Sequence, residues 1–297
     1  MSKPQLPKRL YKYRSFNART LRLLIEAEVY YADPSSFNDP LDSRPTIQID
    51  VESEDLENLL SQMLSVNEKN KYQKLIGDHR YMSREYGSYN DGSSGENCYK
   101  RRLASNVKDI LYKEFCERGV LSLSEKWDCP LMWSHYADEH RGLCIEYDMT
   151  ENACKNLRPV DYRMPRSIKI SDLIKWKINL CKSAEQVITK TFFFAKAPQW
   201  RYEREWRDVL APIGSGSAPA NICAIHFGLR CDSSVITTIV NLYSASKPHV
   251  KFYEMYPKGD SFLLKRRLTN TEEIIAAGVK SSVLLELRDV FISETGT

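Results

Sequence analysis

The segment Trp200-Arg201-Tyr202-Glu203-Arg204-Glu205-Trp206-Arg207 constrains the fold most, because it sets two carboxylates and three guanidiniums among bulky aromatic rings. Apolar Val209-Leu210 follows at once. Read as a strand over 203–210, side-chain alternation puts Glu203, Glu205 and Arg207 on one face and Arg204, Trp206 and Asp208 on the other. Two like charges on one face repel, and partly buried carboxylates are costly unless a cation or a ligand compensates them. Either the acids serve a ligand, or Arg201, Arg204 and Arg207 neutralise them in a surface ion-pair network. Lys196, just ahead of them, is placed to pair with one carboxylate of the strand.

A chain of 297 residues with 42% hydrophobic and 11% aromatic content has enough apolar surface for a core. No run approaches the roughly 20 apolar residues that span a bilayer. Met1-Ser2-Lys3-Pro4-Gln5 lacks the apolar stretch of a secretory signal, so a cytoplasmic location is expected. Eight cysteines stand at irregular spacing without a C-x-x-C pair, and five scattered histidines form no ligand pattern, so no metal is expected. A net charge of +4 permits an anionic partner without requiring one. The basic clusters Lys100-Arg101-Arg102 and Lys265-Arg266-Arg267 read as solvated faces.

Along the chain, Leu10 to Tyr13 reads as a strand, Thr20 to Ile25 as a helix and Val29 to Tyr31 as a second strand. The segment from Asp33 to Pro40 is a turn-rich loop. Residues 51–86 are amphipathic, with Leu56, Leu59, Leu60 and Met63 at helical spacing. They lead into the linker-like run from Gly87 to Gly95, so about 51–100 reads as a helical or mobile insertion in a single domain over 1–297.

A helix is expected from Tyr99 to Glu117 with Gly119 as its cap, then a strand over 120–124, a short helix from Pro130 to Tyr136 and a strand over 142–147. A helix through roughly 171–196 precedes the acidic strand. Ile222 to Phe227 reads as a strand buried on both faces, and Pro257-Lys258-Gly259-Asp260 as the turn of a hairpin. The last thirty residues read as helical or mixed. Together these elements predict an α+β fold with a mixed, largely antiparallel sheet flanked by helices.

Further groups have the chemistry of a site. Arg14 at the end of the first strand presents a planar fork suited to phosphate or ribose hydroxyls. Asn38 and Asp39 can bind a ligand or stabilise their own turn. The rings of Trp133 and Tyr136, with Ser134 between them, can wall a flat heterocycle or serve as plain core.

Taken in order, Tyr11-Lys12-Tyr13-Arg14, Phe37-Asn38-Asp39-Pro40, Met132 to Ala137 with Gly142, the 200–207 segment and Phe227-Gly228-Leu229 resemble the bacterial uncharacterised family DUF2971. More distantly, the order of a basic first strand, a middle element with serine and tyrosine, and a late Glu-x-Glu strand is similar to the ADP-ribosyltransferase superfamily. That resemblance implies NAD as substrate, Glu205 as catalytic acid, Glu203 as the upstream acid and Arg14 on the nicotinamide ribose. Ser134 or Tyr136 would help to hold the dinucleotide, with Trp133 shielding the nicotinamide and Asn38 in reach of the ligand. Lys12-Tyr13-Arg14 stands where histidine-glycine-threonine is usual. The acceptor would be protein, nucleic acid or water, and the setting a bacterial anti-phage defence effector or a toxin. Two alternatives come from other classes: a nucleic-acid-binding or nuclease-like protein holding magnesium on Glu203, Glu205 and Asp39, and a non-catalytic interaction module.

Overall fold

The computed structural model describes residues 5–64, 66–86, 95–151, 154, 156–244 and 246–278. The first elements are β1 (Arg9–Arg14), α1 (Ala18–Glu26), β2 (Glu28–Tyr31), β3 (Thr46–Gln48), α2 (Ser53–Met63), α3 (Val66–Tyr86) and α4 (Gly95–Phe115). The middle of the chain carries β4 (Gly119–Ser124), α5 (Pro130–Tyr136), β5 (Leu143–Asp148), β6 (Arg158–Pro159), β7 (Ser167–Lys169), α6 (Ile170–Lys177) and α7 (Lys182–Phe194). Then come β8 (Glu205–Leu210), β9 (Gly214–Ser217), β10 (Asn221–Phe227), α8 (Ser233–Ser244), β11 (Lys251–Pro257), β12 (Leu264–Leu268) and α9 (Thr271–Ala277). The expected α+β class holds. Most of the linker-like run, residues 87–94, and most of the expected helical tail, residues 279–297, lie outside the described residues.

The chain divides into two compact units. Unit 1 comprises Met1–Pro7, Glu26–Glu125 and Cys154–Pro219; unit 2 comprises Lys8–Ile25, Lys126–Ala153 and Ala220–Thr297. In unit 1, β4, β8 and β6 pair antiparallel, with Ser122 opposite Arg207 and Ser124 opposite Glu205. The antiparallel pair β2 and β9 and the parallel pair β3 and β7 complete its strands. Its core is helical and aromatic. Leu56, Leu59 and Leu60 of α2 meet Leu103, Val107 and Leu111 of α4, beside a stack of Phe115 on Phe192 with ring centroids 4.7 Å apart. The helical spacing of α2 therefore buries the residues that the periodicity selects.

In unit 2, β12, β11, β10, β5 and β1 lie side by side, all antiparallel except β10 with β11. That parallel pair needs a crossover, which α8 supplies. On β1, Tyr11 and Tyr13 face one side while Leu10, Lys12 and Arg14 face the other. The Tyr243 hydroxyl of α8 donates to the Leu24 carbonyl of α1, 2.7 Å away, tying these two helices together.

Two boundaries differ from expectation. The helix expected over 171–196 is broken into α6 and α7, with exposed Leu180 in the left-handed region at φ 53°. Gly119 opens β4 instead of capping α4, and what demands glycine there is contact with Tyr31, whose Cβ would lie 2.6 Å from an added methyl.

Close approach also explains Gly228 at the end of β10, where a methyl would collide with the carbonyl of His140. Gly77, exposed within α3, has open space around it. Gly228→Ala should therefore destabilise the protein by about 2 kcal/mol or more, whereas Gly77→Ala should stabilise it by about 0.5–1 kcal/mol. Denaturant titration of both variants checks this, and equal shifts would contradict the geometry.

Candidate functional site

The acidic segment folds otherwise than as one strand. Residues Pro198–Glu203 form a 3-10 turn, and Arg204 takes left-handed backbone angles at φ 43° before β8 begins at Glu205. Glu203 thus reaches the side of Glu205 from a turn. Its carbonyl accepts the Ser124 hydroxyl at 2.6 Å, and Glu125 N–H donates to the Arg204 carbonyl at 3.1 Å, which fixes the turn against β4.

Here five charged side chains of unit 1 meet, all buried: Asp42, Lys196, Glu203, Glu205 and Arg207. Arg207 uses every N–H of its guanidinium. Nε donates to Glu205 Oε1 at 2.7 Å, Nη1 to Asp42 Oδ1 at 2.8 Å and the Phe193 carbonyl at 2.7 Å, and Nη2 to Asp42 Oδ2 at 2.5 Å and Glu205 Oε2 at 3.0 Å. The Lys196 ammonium lies among the three acids, bonded to Glu203, 2.9 Å from Glu205 Oε2 and 3.4 Å from Asp42 Oδ2. Aromatic rings close the cluster. Phe37 lies 5.3 Å from the Arg207 guanidinium and Trp200 5.2 Å from the Lys196 ammonium. The backbone of Glu205 is held as well, its N–H donating to the Tyr162 hydroxyl at 2.9 Å and its carbonyl accepting Val160 N–H at 2.9 Å.

Burial alone would raise the pKa of Glu205, but Arg207 and Lys196, with hydrogen bonds from Arg207 and Ser122, overcome it and hold the carboxylate far below its usual range. Lys196 is desolvated too, yet the carboxylates around it raise its pKa above the ordinary value of 10.5. Both groups therefore remain charged at neutral pH.

In the loop before β3, Asn38 and Asp39 take the turn-stabilising alternative. Asn38 is exposed, with its Oδ1 accepting Asp39 N–H at 3.0 Å, and Asp39 in turn accepts Leu41 N–H at 2.8 Å, so both brace the turn. The loop acid that reaches the cluster is Asp42, which sequence reasoning missed.

The other expected residues belong to unit 2. Trp133 is fully buried, its indole N–H donating to the Trp127 carbonyl at 2.7 Å and its ring edge-on to Tyr13 at 5.2 Å. After α5 the chain passes through three successive left-handed residues, Asp138, Glu139 and His140, which brings His140 Nε2 within 3.3 Å of the exposed Ser134 hydroxyl. Tyr136 is half-buried, its ring 6.2 Å from that of His135. Arg14 faces away from Tyr13 and Trp133, toward the side of Tyr147. Its Nε and the Tyr147 hydroxyl are both buried without a hydrogen-bond partner among the described residues. Burial and Arg19 lower the Arg14 pKa while Tyr147 opposes them.

A second polar cluster, also missed, lies on the Tyr11 face of unit 2. Glu146 accepts from His226 Nε2 at 3.0 Å and from Arg266 Nη1 at 2.9 Å, and Arg9 Nε lies 3.2 Å from it. The Arg266 guanidinium sits 4.7 Å from the Trp127 ring and 4.4 Å from that of Tyr253. Burial lowers the pKa of His226 despite Glu146, and its Nδ1 has no partner among the described residues.

Among the described residues, no group of three or more His, Cys, Asp or Glu side chains is placed to hold a metal ion, and no helix is long and apolar enough to cross a membrane. All eight cysteines are free thiols.

Residues 132–207 match the model of a family described as Protein of unknown function (DUF2971), in line with the resemblance carried by the sequence. The matched stretch holds Trp133, Ser134, Tyr136, Lys196, Glu203, Glu205 and Arg207, and leaves out Arg14, Asn38 and Asp42. No curated protein and no solved structure matches the chain.

The charge cluster sets a pH response. Glu205 has a depressed pKa in the folded protein, so the stability it contributes is complete above the ordinary value of 4.5 and is lost progressively as pH falls below it. Lys196 has a raised pKa, so its contribution is complete below 10.5 and fades as pH rises through the folded value. The contribution of this cluster is therefore flat between about pH 5 and 10, while the lowered pKa of His226 makes thermal melts of the whole protein fall already below its ordinary value of 6.5, with the cluster's own loss added further on the acid side. Glu205→Gln strands buried cations and should cost about 3–5 kcal/mol on the plateau while making the acid limb shallower. An unchanged melting profile in that variant would show that the cluster carries little of the stability.

Proposed function

We propose that the chain is an ADP-ribosyltransferase-like enzyme that consumes NAD, with Glu205 as the catalytic acid and Glu203 as its upstream partner. The observation that carries this reading is the state of Glu205: a buried carboxylate, held ionised by Arg207 and Lys196, two residues past Glu203. Breaking the bond between nicotinamide and ribose leaves positive charge on the sugar, and nicotinamide departs with the bonding electron pair. A fixed anion in a poorly screened setting stabilises that charge. The acceptor oxygen of water, protein or nucleic acid then bonds to the sugar carbon, while Glu203 orients it or takes its proton. With water as acceptor the reaction is NAD glycohydrolysis. Nucleotide-binding roles for Arg14, Trp133, Ser134, Tyr136 and Asn38 belong to the same proposal, as do a cytoplasmic location and a role in bacterial defence or as a toxin.

A second reading is favoured by the bonding of Glu205, whose two oxygens already accept from Lys196 and Arg207. In it the cluster is the structural centre of unit 1 and the chain is a non-catalytic interaction module. A magnesium-dependent nuclease has less in its favour, since the Lys196 ammonium already stands among Asp42, Glu203 and Glu205.

Incubating the purified protein with NAD and following free nicotinamide, with and without a chelator, separates the three. The first reading expects chelator-insensitive release that falls by at least about 100-fold in Glu205→Gln, assayed below the melting temperature of both proteins with circular dichroism confirming the fold. Release at the wild-type rate from folded Glu205→Gln removes Glu205 as the catalytic acid. No release from the wild type, even with candidate acceptors present, favours the interaction module, and chelator-sensitive cleavage of DNA or RNA favours the nuclease.

A further inference from the structure

Arginines withdrawn from solvent are met by carboxylates at both charge clusters. Arg207 has every N–H bonded, and the guanidiniums of Arg9 and Arg266 both reach Glu146. Arg14 is treated differently. Half-buried at the last position of β1, its guanidinium makes no hydrogen bond and no ion pair among the described residues. Of its three nitrogens only Nε is sealed from solvent, so the two Nη groups form an accessible end that lacks an acceptor.

No carboxylate acts on this guanidinium. Burial has the largest influence and lowers its pKa, Tyr147 opposes that, and Arg19, exposed in the first turn of α1, lowers it further. Tyr147 brings no negative charge at neutral pH, because burial holds its phenol well above the ordinary value of 10.0. The first turn of α1 contains no acid either. Two guanidiniums that repel each other, one of them partly desolvated, thus leave a positive site without a counter-charge. An anion that reaches it is favoured, and the planar Nη edge matches the paired oxygens of a phosphate or carboxylate. A sugar hydroxyl would bond the same edge and offset none of its charge.

We infer that the end of β1 in unit 2 binds an oxyanion, the phosphate or carboxylate group of a small ligand, on the Nη edge of Arg14, with Arg19 adding the second positive charge. The inference does not rest on NAD as substrate. It assigns Arg14 to an anionic group in place of a ribose hydroxyl, and it is tested with simple anions, whose binding does not depend on nicotinamide release.

NMR titration of the full chain with inorganic phosphate, acetate and ribose, at constant ionic strength, reads the Nε–H of Arg14 and the backbone amides of α1. At least one of the two anions should shift these signals saturably, and the tighter of them names the head group; ribose should leave them unmoved. Arg14→Gln should weaken anion binding by about tenfold or more and Arg19→Gln by about threefold. Arg14→Met keeps the aliphatic stem and removes the charge, so the unliganded protein should melt at an unchanged or higher temperature. The inference is overturned if neither anion shifts the signals, if ribose shifts them as strongly, or if folded Arg14→Gln keeps wild-type affinity. Should that variant fail to fold, wild-type shifts lying away from residues 14–19 overturn it equally. A clearly lower melting temperature in Arg14→Met would make Arg14 a structural residue and overturn it as well.

Discussion

The guanidinium of Arg207 is the constraint around which unit 1 is arranged. A fully buried cation is tolerable only when each donor finds an acceptor, and here Asp42, Glu205 and the Phe193 carbonyl take all five. Arginine suits the position because its planar fork meets two carboxylates at once, which the point charge of lysine does not. Three elements are thereby fixed to one another: the loop before β3, the end of α7 and the start of β8. Lys196 then offsets one of the two carboxylate charges that Arg207 leaves over, and the rings of Phe37 and Trp200 keep water from screening the pairs.

Much of the fold was legible because period and punctuation agreed. The leucines of α2, the apolar run of β10 and the hairpin of β11 and β12 appear where hydrophobic spacing and turn residues put them, although its loop runs over 258–263 rather than 257–260. The break between α6 and α7 was not legible. Leu180 adopts positive φ with no glycine or proline beside it, so no local residue announces the turn. The glycine at 119 misled for the opposite reason: its role is steric contact with Tyr31, distant in sequence, and it resembles a helix cap only by position.

The candidate site was legible to the extent that it is local. Lys196, Glu203, Glu205 and Arg207 fall within one short segment, and the need to compensate two neighbouring acids pointed to their pairing. Asp42 reaches Arg207 across 165 positions, and Glu146 reaches His226 across 80 and Arg266 across 120. Such partners depend on strand register, which residue spacing does not encode. The same alternation splits the basic run 265–267: Arg266 turns inward onto Trp127 and Glu146, while its neighbours face solvent.

Those outward neighbours matter beyond unit 2 itself. Among the described residues β12 has a strand on one side only, leaving a row of backbone donors and acceptors unpaired in the sheet. Bare edges of this kind recruit further strands and seed aggregates. Lys265 holds exposed positive charge along it, whereas Arg267, also exposed, is paired with Glu254 at 2.8 Å, so a second copy approaching edge to edge would meet its own sign at Lys265. Keeping such an edge from its own copies thus draws on a side chain that takes no part in the core.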